Sequence, residues 1–301
     1  MEQMNILIIC RTDWGGVSFE LFKAINKNTN HNAIQIVSTP HPYGYDFDSL
    51  LSEYTKEEFK SVLELSDFVL VSASDYDFKP YGLEIPNPKG IYHVGTAYRT
   101  KPDFFKKHVH PDFDIVFAGK DTILEDKIKS LNATIDTNKY KFKGKNLIEP
   151  IKIGHSPSNR NTKNTNIFIK GVELLKQKYE IDFDLIENVN ITESIKRKED
   201  LHFLFDQIAN YNIPNKGYYG YGIVSIEAAC FGDVILGRCN IPDVPILNVQ
   251  NEKDIFCVID DIINNDNFDL NSNQTRAWVE REHSYEAVSK KFINDIKEVI
   301  K

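Results

Sequence analysis

The sequence predicts an α/β protein built from two doubly wound parallel sheets. Short apolar runs rich in β-branched residues alternate along the chain with segments of helical periodicity, and this order is typical of parallel strands joined by crossover helices. The alternation occurs in two consecutive series. With 301 residues, of which 41% are hydrophobic, the chain is long enough for two domains of about 150 residues with a core each.

The first series supplies the strands of an amino-terminal domain. Its apolar runs are NILIIC, AIQIVS, DFVLVS, IYHVG and DIVFAG, and the segments VSFELFKAINK and KEEFKSVLELS between them have the period of amphipathic helices. We expect this domain to cover residues 1–145. The polar, basic stretch Lys141–Pro150 has no periodicity and is typical of a hinge.

The second series supplies a carboxyl-terminal domain, expected over residues 146–285. Its strands are predicted at IKIGH, IDFDLI, LHFLFDQ, DVILG and PILNV, with a helix over Thr165–Lys178. From about Arg276 the pattern predicts two helices separated near Glu282–Ser284. Ligands of such sheets bind at the carboxyl ends of the strands, so the candidate residues are sought there.

A glycine-rich loop opens an apolar helix within Gly217–Arg238, and Glu227 is the one acid of that helix. Because an unpaired charge in an apolar setting is costly, this carboxylate is protonated, capped by amides or reserved for ligand hydroxyl groups, and the spacing favours the third interpretation. Gly220 and Gly222 allow close backbone approach, and the amides near Ile223–Ser225 would bind a diphosphate. The alternative is an ordinary turn followed by a surface glutamate.

This segment resembles the donor-sugar motif of retaining GT-B-fold glycosyltransferases, the family 4-like or group 1 enzymes. In that motif a loop such as EGFG leads to a glutamate in a LEAMA-like helix. Glu227, Ala228 and Gly232 stand at matching positions, whereas Tyr219 replaces the first glutamate of the motif. The resemblance implies the GT-B architecture, in which two Rossmann-like domains face each other across a cleft and the final helix, 286–301, completes the first domain.

Two loops match basic and histidine-containing elements of the same family. GHSPSNRNTKNT carries Arg160 and Lys163, which correspond to the basic pair that neutralises the donor diphosphate. IYHVGTAYRTKP resembles the HxGxxxR element and would place His93 beside the donor sugar and acceptor. Thr96 and Arg99 of this element are expected to contact the acceptor or the sugar.

The remaining candidate residues follow other strands. Gly15 and Gly16 match a GG loop that closes over the donor, or they form a simple turn with Asp13 as a helix cap. Asp206 would bind sugar or base, or would orient the glycine-rich loop. Glu187 lies near a possible base pocket. The expected donor-binding residues are Gly15, Gly16, Arg160, Asp206, Tyr219, Gly220, Tyr221, Gly222, Ile223 and Val224, and the expected catalytic residues are His93, Lys163 and Glu227.

The resemblance implies a glycosyltransferase that moves a sugar from a UDP- or GDP-linked donor to an acceptor hydroxyl with retention of configuration. Lys163 and Arg160 would hold the diphosphate, Glu227 the ribose, and His93 the reacting sugar or acceptor. Neither a metal nor a cofactor besides the nucleotide-sugar is expected. The acceptor is a glycan, a protein, a small molecule or a modified nucleobase. The alternatives are a nucleotide-sugar 2-epimerase of the same fold and a non-catalytic nucleotide-sugar-binding protein, for which Tyr219 is the main argument.

Composition restricts partners and location. A net charge of -8 argues against an extended nucleic-acid surface, although basic islands at Lys101–His110 and Lys139–Lys145 would suit an anionic acceptor or a membrane surface if they are not simply solvated. Neither a run of about 18 apolar residues nor a secretory signal is evident, so a cytoplasmic location is expected. The cysteines lack metal-site spacing and are predicted to be reduced thiols: Cys10, Cys230, Cys239 and Cys257.

Overall fold

Both halves of the chain are α/β units, as the sequence predicts. The computed structural model describes residues 2–72, 76–94, 96–120, 127–142, 144–208 and 220–300. The first unit comprises Met1–Asp136 with His283–Lys301, and the second comprises Thr137–Glu282. The expected hinge, Lys141–Pro150, belongs to the second unit. The residues just before it are held there by Arg276, which donates hydrogen bonds to the carbonyl groups of Thr137 (3.0 Å) and Tyr140 (3.2 Å).

Within the described residues, the first unit contains a parallel sheet of seven strands. The strands are β1 (Asn5–Cys10), β2 (Asn32–Val37), β3 (Ser49–Leu50), β4 (Phe68–Ser72), β5 (Lys89–His93), β6 (Ile115–Ala118) and β7 (Lys129–Ser130). Their order across the sheet is β3-β2-β1-β4-β5-β6-β7. The two central strands, β1 and β4, are buried on both faces, which explains their continuous apolar sequences. The short edge strands β3 and β7 were not among the predicted strands.

Four helices of the first unit follow its strands. They are α1 (Val17–Asn28), α2 (Lys56–Glu64), α3 (Thr96–Thr100) and α4 (Pro102–His108). Helix α2 begins at a capping box in which the Thr55 hydroxyl accepts from the Glu58 amide and the Glu58 carboxylate accepts from the Thr55 amide. Capping of this kind starts a helix where the sequence predicts one.

The second unit contains a five-stranded parallel sheet within the described residues. Its elements are β8 (Ile151–His155), α5 (Arg160–Lys163), α6 (Thr165–Leu175), β9 (Ile181–Leu185), α7 (Ile191–Lys198), β10 (Phe203–Phe205), α8 (Ile223–Ala229), β11 (Val234–Gly237), β12 (Ile246–Asn248), α9 (Glu252–Asn264) and α10 (Phe268–His283). The strand order is β12-β11-β10-β8-β9. Helices α6 and α9 pack closely because Gly171 has no side chain: a Cβ there would lie 2.8 Å from the nearest atom of Ile255.

The last helix, α11 (Tyr285–Ile296), belongs to the first unit. It starts directly after the predicted interruption, Glu282–Ser284, and the Ser284 hydroxyl caps it by accepting a hydrogen bond from the Ala287 amide. The Phe292 ring is fully buried against Phe68 and Phe117, with centroid distances of 6.1 and 5.4 Å. Burial of this aromatic face attaches the carboxyl terminus to the first sheet.

Candidate functional site

The polar side chains of the second unit gather where β8 and β10 end. These strands are parallel neighbours, so the loops that follow His155 and Phe205 start at the same edge of the sheet. The first loop leads to Lys163 in α5, and the second begins with Asp206. Helix α8 starts beside them, with Gly222 as its N-cap residue.

Asp206 connects these three segments through one buried carboxylate. Its Oδ1 accepts from Lys163 Nζ (2.7 Å), and its Oδ2 accepts from the Gly222 amide (2.6 Å) and the Ser225 hydroxyl (2.8 Å). Burial by itself raises the pKa of Asp206, but the Lys163 ammonium and the hydrogen bonds outweigh it, so the pKa lies below its usual value. Of the two roles considered for Asp206, the geometry supports orientation of the glycine-rich loop.

Lys163 presents its ammonium at the start of α8. A Cβ on Gly222 would lie 2.9 Å from Lys163 Nζ and 3.1 Å from Asp206 Oδ1, so only glycine fits this position without displacing the ion pair. Nζ has three protons, of which one is used by Asp206. In the described part of the chain, the amides of Ile223 and Val224 have no protein acceptor. The Lys163 ammonium and these two amides together offer hydrogen-bond donors to an anion.

Glu227 has a protein partner that the sequence analysis did not foresee. Lys198, at the end of α7, donates to Glu227 Oε2 (2.8 Å) and to the Ser194 hydroxyl (2.6 Å), and both charged side chains are buried. A lysine partner was not among the three alternatives that the sequence analysis considered for this carboxylate. Among the described residues nothing donates to Oε1, so this oxygen is the one a ligand hydroxyl could reach.

Arg160 and Glu187 pair with each other. The Arg160 Nε lies 2.8 Å from Glu187 Oε1 and 3.0 Å from Oε2, and Nη2 also contacts Oε2. These hydrogen bonds hold the pKa of Glu187 below its usual value. The sequence assigned the two residues to a diphosphate and a base pocket separately. The Arg160 side chain is 53% exposed, so this pair can open at the low cost typical of surface ion pairs.

The glycine-rich loop is described from Gly220 onward. Gln207 donates from Nε2 to the Gly220 carbonyl (3.1 Å), and the Tyr221 ring packs edge-on against Trp278 at 5.0 Å. Both contacts fix the approach of the loop to α8. The predicted donor contact Tyr219 lies outside the described residues.

His155, the last residue of β8, is a neutral ring that holds together the elements around this site. Its Nδ1 donates to the Phe205 carbonyl (2.8 Å), so its Nε2 accepts from the Thr165 hydroxyl (2.9 Å). Burial lowers the pKa of His155 to about 4. The side chain is fully buried and connects β8, β10 and α6.

His93 ends β5 in the first unit and forms a histidine pair. Its Nε2 lies 3.0 Å from Nε2 of His110, and the Tyr98 ring stacks on it at 4.3 Å. Burial, followed by the nearby His110, lowers the pKa of His93 to about 3, so the imidazole is neutral at physiological pH. Its chemistry there is hydrogen bonding without a change of charge. Thr96 begins α3, and Arg99 is half-buried in the same helix.

Gly15 and Gly16 form a turn between β1 and α1, with φ of 76° and 66°. The buried Asp13 accepts from the amides of Ser18 (3.0 Å) and Phe19 (2.8 Å), so it anchors the start of α1, as the helix-cap alternative predicts. Burial raises the pKa of Asp13, and these hydrogen bonds oppose that effect.

A cavity of about 320 Å³ lies at the other edge of the second sheet, where β8 and β10 begin. Its lining includes Lys145, Lys152 and His202. Lys145 forms an ion pair with the buried Asp233, whose pKa is raised by burial to about 7. The sequence analysis did not identify this cavity.

Solved structures share the two-unit architecture. An α-glucosyltransferase in complex with UDP and a 13-mer DNA containing an HMU base aligns with a TM-score of 0.68 over 99% of this chain and 100% of its own, at 12% identity. Anabaena HepE in complex with UDP-glucose aligns with a TM-score of 0.64 over 98% and 100%, at 9% identity. A UDP-N-acetylglucosamine 2-epimerase aligns with a TM-score of 0.57 over 98% and 96%, at 14% identity. No family model and no curated protein matches the sequence.

The chain has the GT-B fold. At these identities the likeness establishes the fold alone, and it is compatible with glycosyltransferases and with epimerases. None of the described helices of this GT-B chain is both long and apolar enough to span a membrane. Its described residues also include no group of three or more histidine, cysteine and acidic side chains placed to hold a metal ion.

Replacing Asp206 with alanine is expected to destabilise the second unit by about 3–5 kcal/mol, because it leaves the Lys163 ammonium buried without its partner. The change would be read from urea unfolding by the fluorescence of the buried Trp278 in a Trp14→Phe background. Asp260→Ala is the matched control, since it removes the partner of the exposed Lys178 and should cost less than about 1 kcal/mol. Equal losses in the two variants would contradict the assigned role of Asp206.

The neutral His155 predicts a pH dependence of stability. His155 takes up a proton near pH 6.5 in the unfolded chain but only near pH 4 in the folded chain. The free energy of unfolding is therefore highest above pH 6.5. It falls as the pH drops from 6.5 to 4, by up to about 1.4 kcal/mol per pH unit. Other buried histidines add to this slope. The His155→Gln variant should show a smaller dependence of the free energy of unfolding on pH, measured by the same fluorescence between pH 7.5 and 4.5. An unchanged dependence would show that His155 is protonated in the folded state.

Proposed function

We propose that this protein is a glycosyltransferase that transfers a sugar from a UDP-linked donor to an acceptor hydroxyl. The observation that carries the proposal is the cluster in which Asp206 holds the Lys163 ammonium against the start of α8, with Glu227 one helical turn further along. A cation, helix-start amides without an acceptor among the described residues, and a carboxylate oxygen are the groups that a nucleotide diphosphate requires. The similar structures that were solved in complex with UDP or UDP-glucose support uracil as the base.

Lys163 is proposed to bind the donor diphosphate. Asp206 accepts one of the three ammonium protons, and in the described part of the chain the other two have no acceptor, so they would donate to phosphate oxygens. The amides of Ile223 and Val224 add two donors at the same place. Because these groups are fixed before the ligand arrives, they would stabilise the charge that develops on the leaving diphosphate without reorganisation.

Glu227 is proposed to bind the ribose. Lys198 occupies Oε2 and leaves Oε1 for a ribose hydroxyl. Arg160 would reach a phosphate only after release from Glu187, which suits an exposed side chain that closes over a bound donor.

The proposed reaction breaks the bond between the anomeric carbon and the diphosphate oxygen and forms a bond from that carbon to the acceptor oxygen. The acceptor proton passes to the departing phosphate oxygen, so no separate protein base is required. We propose retention of anomeric configuration and charge stabilisation by Lys163 in place of a metal. The neutral His93 would donate or accept one hydrogen bond to the reacting sugar or acceptor.

The alternative function is 2-epimerisation of a nucleotide-sugar, which the epimerase neighbour keeps open. Product analysis separates the two: transfer consumes donor in proportion to acceptor, whereas epimerisation converts the donor sugar without an acceptor. A binding protein without turnover would release neither product.

The proposal predicts that UDP or a UDP-sugar stabilises the protein, by about 2.7 kcal/mol at a ligand concentration of one hundred times Kd. Thermal unfolding against UDP-, GDP-, ADP- and CMP-linked sugars and their parent nucleotides tests this. Lys163→Ala and Glu227→Ala should each weaken the shift, whereas Lys178→Ala, the control at an exposed lysine paired with Asp260, should not. Absence of stabilisation by every nucleotide would contradict the proposal.

A further inference from the structure

Four aromatic side chains form an aromatic patch on the first unit: Trp14, His41, Tyr43 and Tyr45. The His41 ring lies at its centre, with ring centroids 5.0 Å from Trp14, 5.5 Å from Tyr43 and 4.7 Å from Tyr45. Trp14 is 56% exposed and Tyr43 is 43% exposed, whereas His41 is buried. Two large rings are thus held open to solvent by a buried support.

The patch lies at the carboxyl ends of the strands of the first sheet, which is where parallel sheets bind ligands. Trp14 follows β1 and the other three rings follow β2, and these two strands are parallel neighbours. Gly16 lets their loops meet, because a Cβ there would lie only 2.7 Å from the Tyr45 ring. The patch is therefore a packed feature at the carboxyl ends of two adjacent strands.

The patch also presents hydrogen-bond donors. His41 Nδ1 accepts from the Tyr43 amide (3.1 Å), and burial lowers the His41 pKa, so the neutral ring carries its proton on Nε2. In the part of the chain that the structure describes, this Nε2, the Trp14 indole N–H and the Tyr43 hydroxyl have no protein acceptor. Flat apolar rings with polar edges suit a ligand that has both apolar faces and oxygen acceptors.

The charge around the patch selects among such ligands. Residues 12–22 and 38–48 contain neither lysine nor arginine, whereas Asp46 and Asp48 are exposed beside the rings in sequence. Arg11, the nearest cation along the chain, is paired with Asp77 at 2.9 Å. A nucleic acid or another phosphorylated ligand requires positive charge, so this environment favours a neutral one.

We propose that the aromatic patch binds a neutral oligosaccharide. A pyranose ring stacks its C–H face on Trp14 and Tyr43, and its hydroxyl oxygens accept from the indole N–H and from His41 Nε2. This inference rests on the proposed function, because an oligosaccharide with free hydroxyl groups is a class of acceptor that a glycosyltransferase uses.

Calorimetric titration of the full chain with maltotriose, cellotriose and triacetylchitotriose tests the inference. At least one trisaccharide is expected to bind, and Trp14→Ala and Tyr43→Ala should each weaken binding about tenfold or more, as for an aromatic anchor of an interface. Leu65→Ala changes a 72% exposed apolar side chain after α2 in the same unit and should leave binding unchanged. Trp14→Phe should retain most of the affinity, which separates loss of stacking from misfolding.

The outcomes distinguish this inference from the proposed function when UDP binding is measured on the same preparations. UDP binding without binding of any trisaccharide would overturn the aromatic patch as a saccharide site and leave the nucleotide site intact. Binding of a 13-mer DNA that is weakened by Trp14→Ala, in place of a trisaccharide, would also overturn it. Trisaccharide binding through Trp14 without UDP binding would support the patch while the proposed function fails.

Discussion

The buried carboxylate of Asp206 is the interaction on which the site of the second unit depends. It follows the central strand β10 and holds Lys163 from α5 and both Gly222 and Ser225 from the start of α8. A buried carboxylate that lost these donors would be strongly unfavourable, so the three segments have one stable arrangement. The same requirement that stabilises the fold therefore positions an ammonium beside the amides at the start of α8, and this arrangement is a preorganised site for an anion.

Three of the charged groups that the sequence assigned to ligand binding, Lys163, Glu227 and Arg160, form ion pairs that differ in burial. Lys163 and Glu227 are buried with Asp206 and Lys198, so their orientation is fixed before a ligand binds. Arg160 is exposed, and its pair with Glu187 can exchange for a phosphate at little cost. This contrast indicates a rigid base of the site with one adjustable cation.

Much of the fold was predictable because buried parallel strands have continuous apolar sequences, such as NILIIC and FVLVS. The strands β3 and β7 were missed because two-residue edge strands carry no such pattern. The partner of Glu227 was missed for a different reason: Lys198 is distant in sequence and lies in a helix with an ordinary charged pattern, so only the tertiary structure brings the two together. A lysine four residues after Ser194 gave no local signal of burial. The exposed Trp14 was likewise indistinguishable from a core aromatic until the turn at Gly15 and Gly16 was known.

Hydrogen–deuterium exchange of the full chain, with and without UDP, tests the central claim most directly, because it reports where a nucleotide binds as well as whether it binds. The account predicts slower exchange at Arg160–Lys163 and Ile223–Ala229, the helices that meet at Asp206. No slowing at these helices, or slowing confined to the cavity at the opposite edge of the sheet near Lys145 and His202, would contradict it.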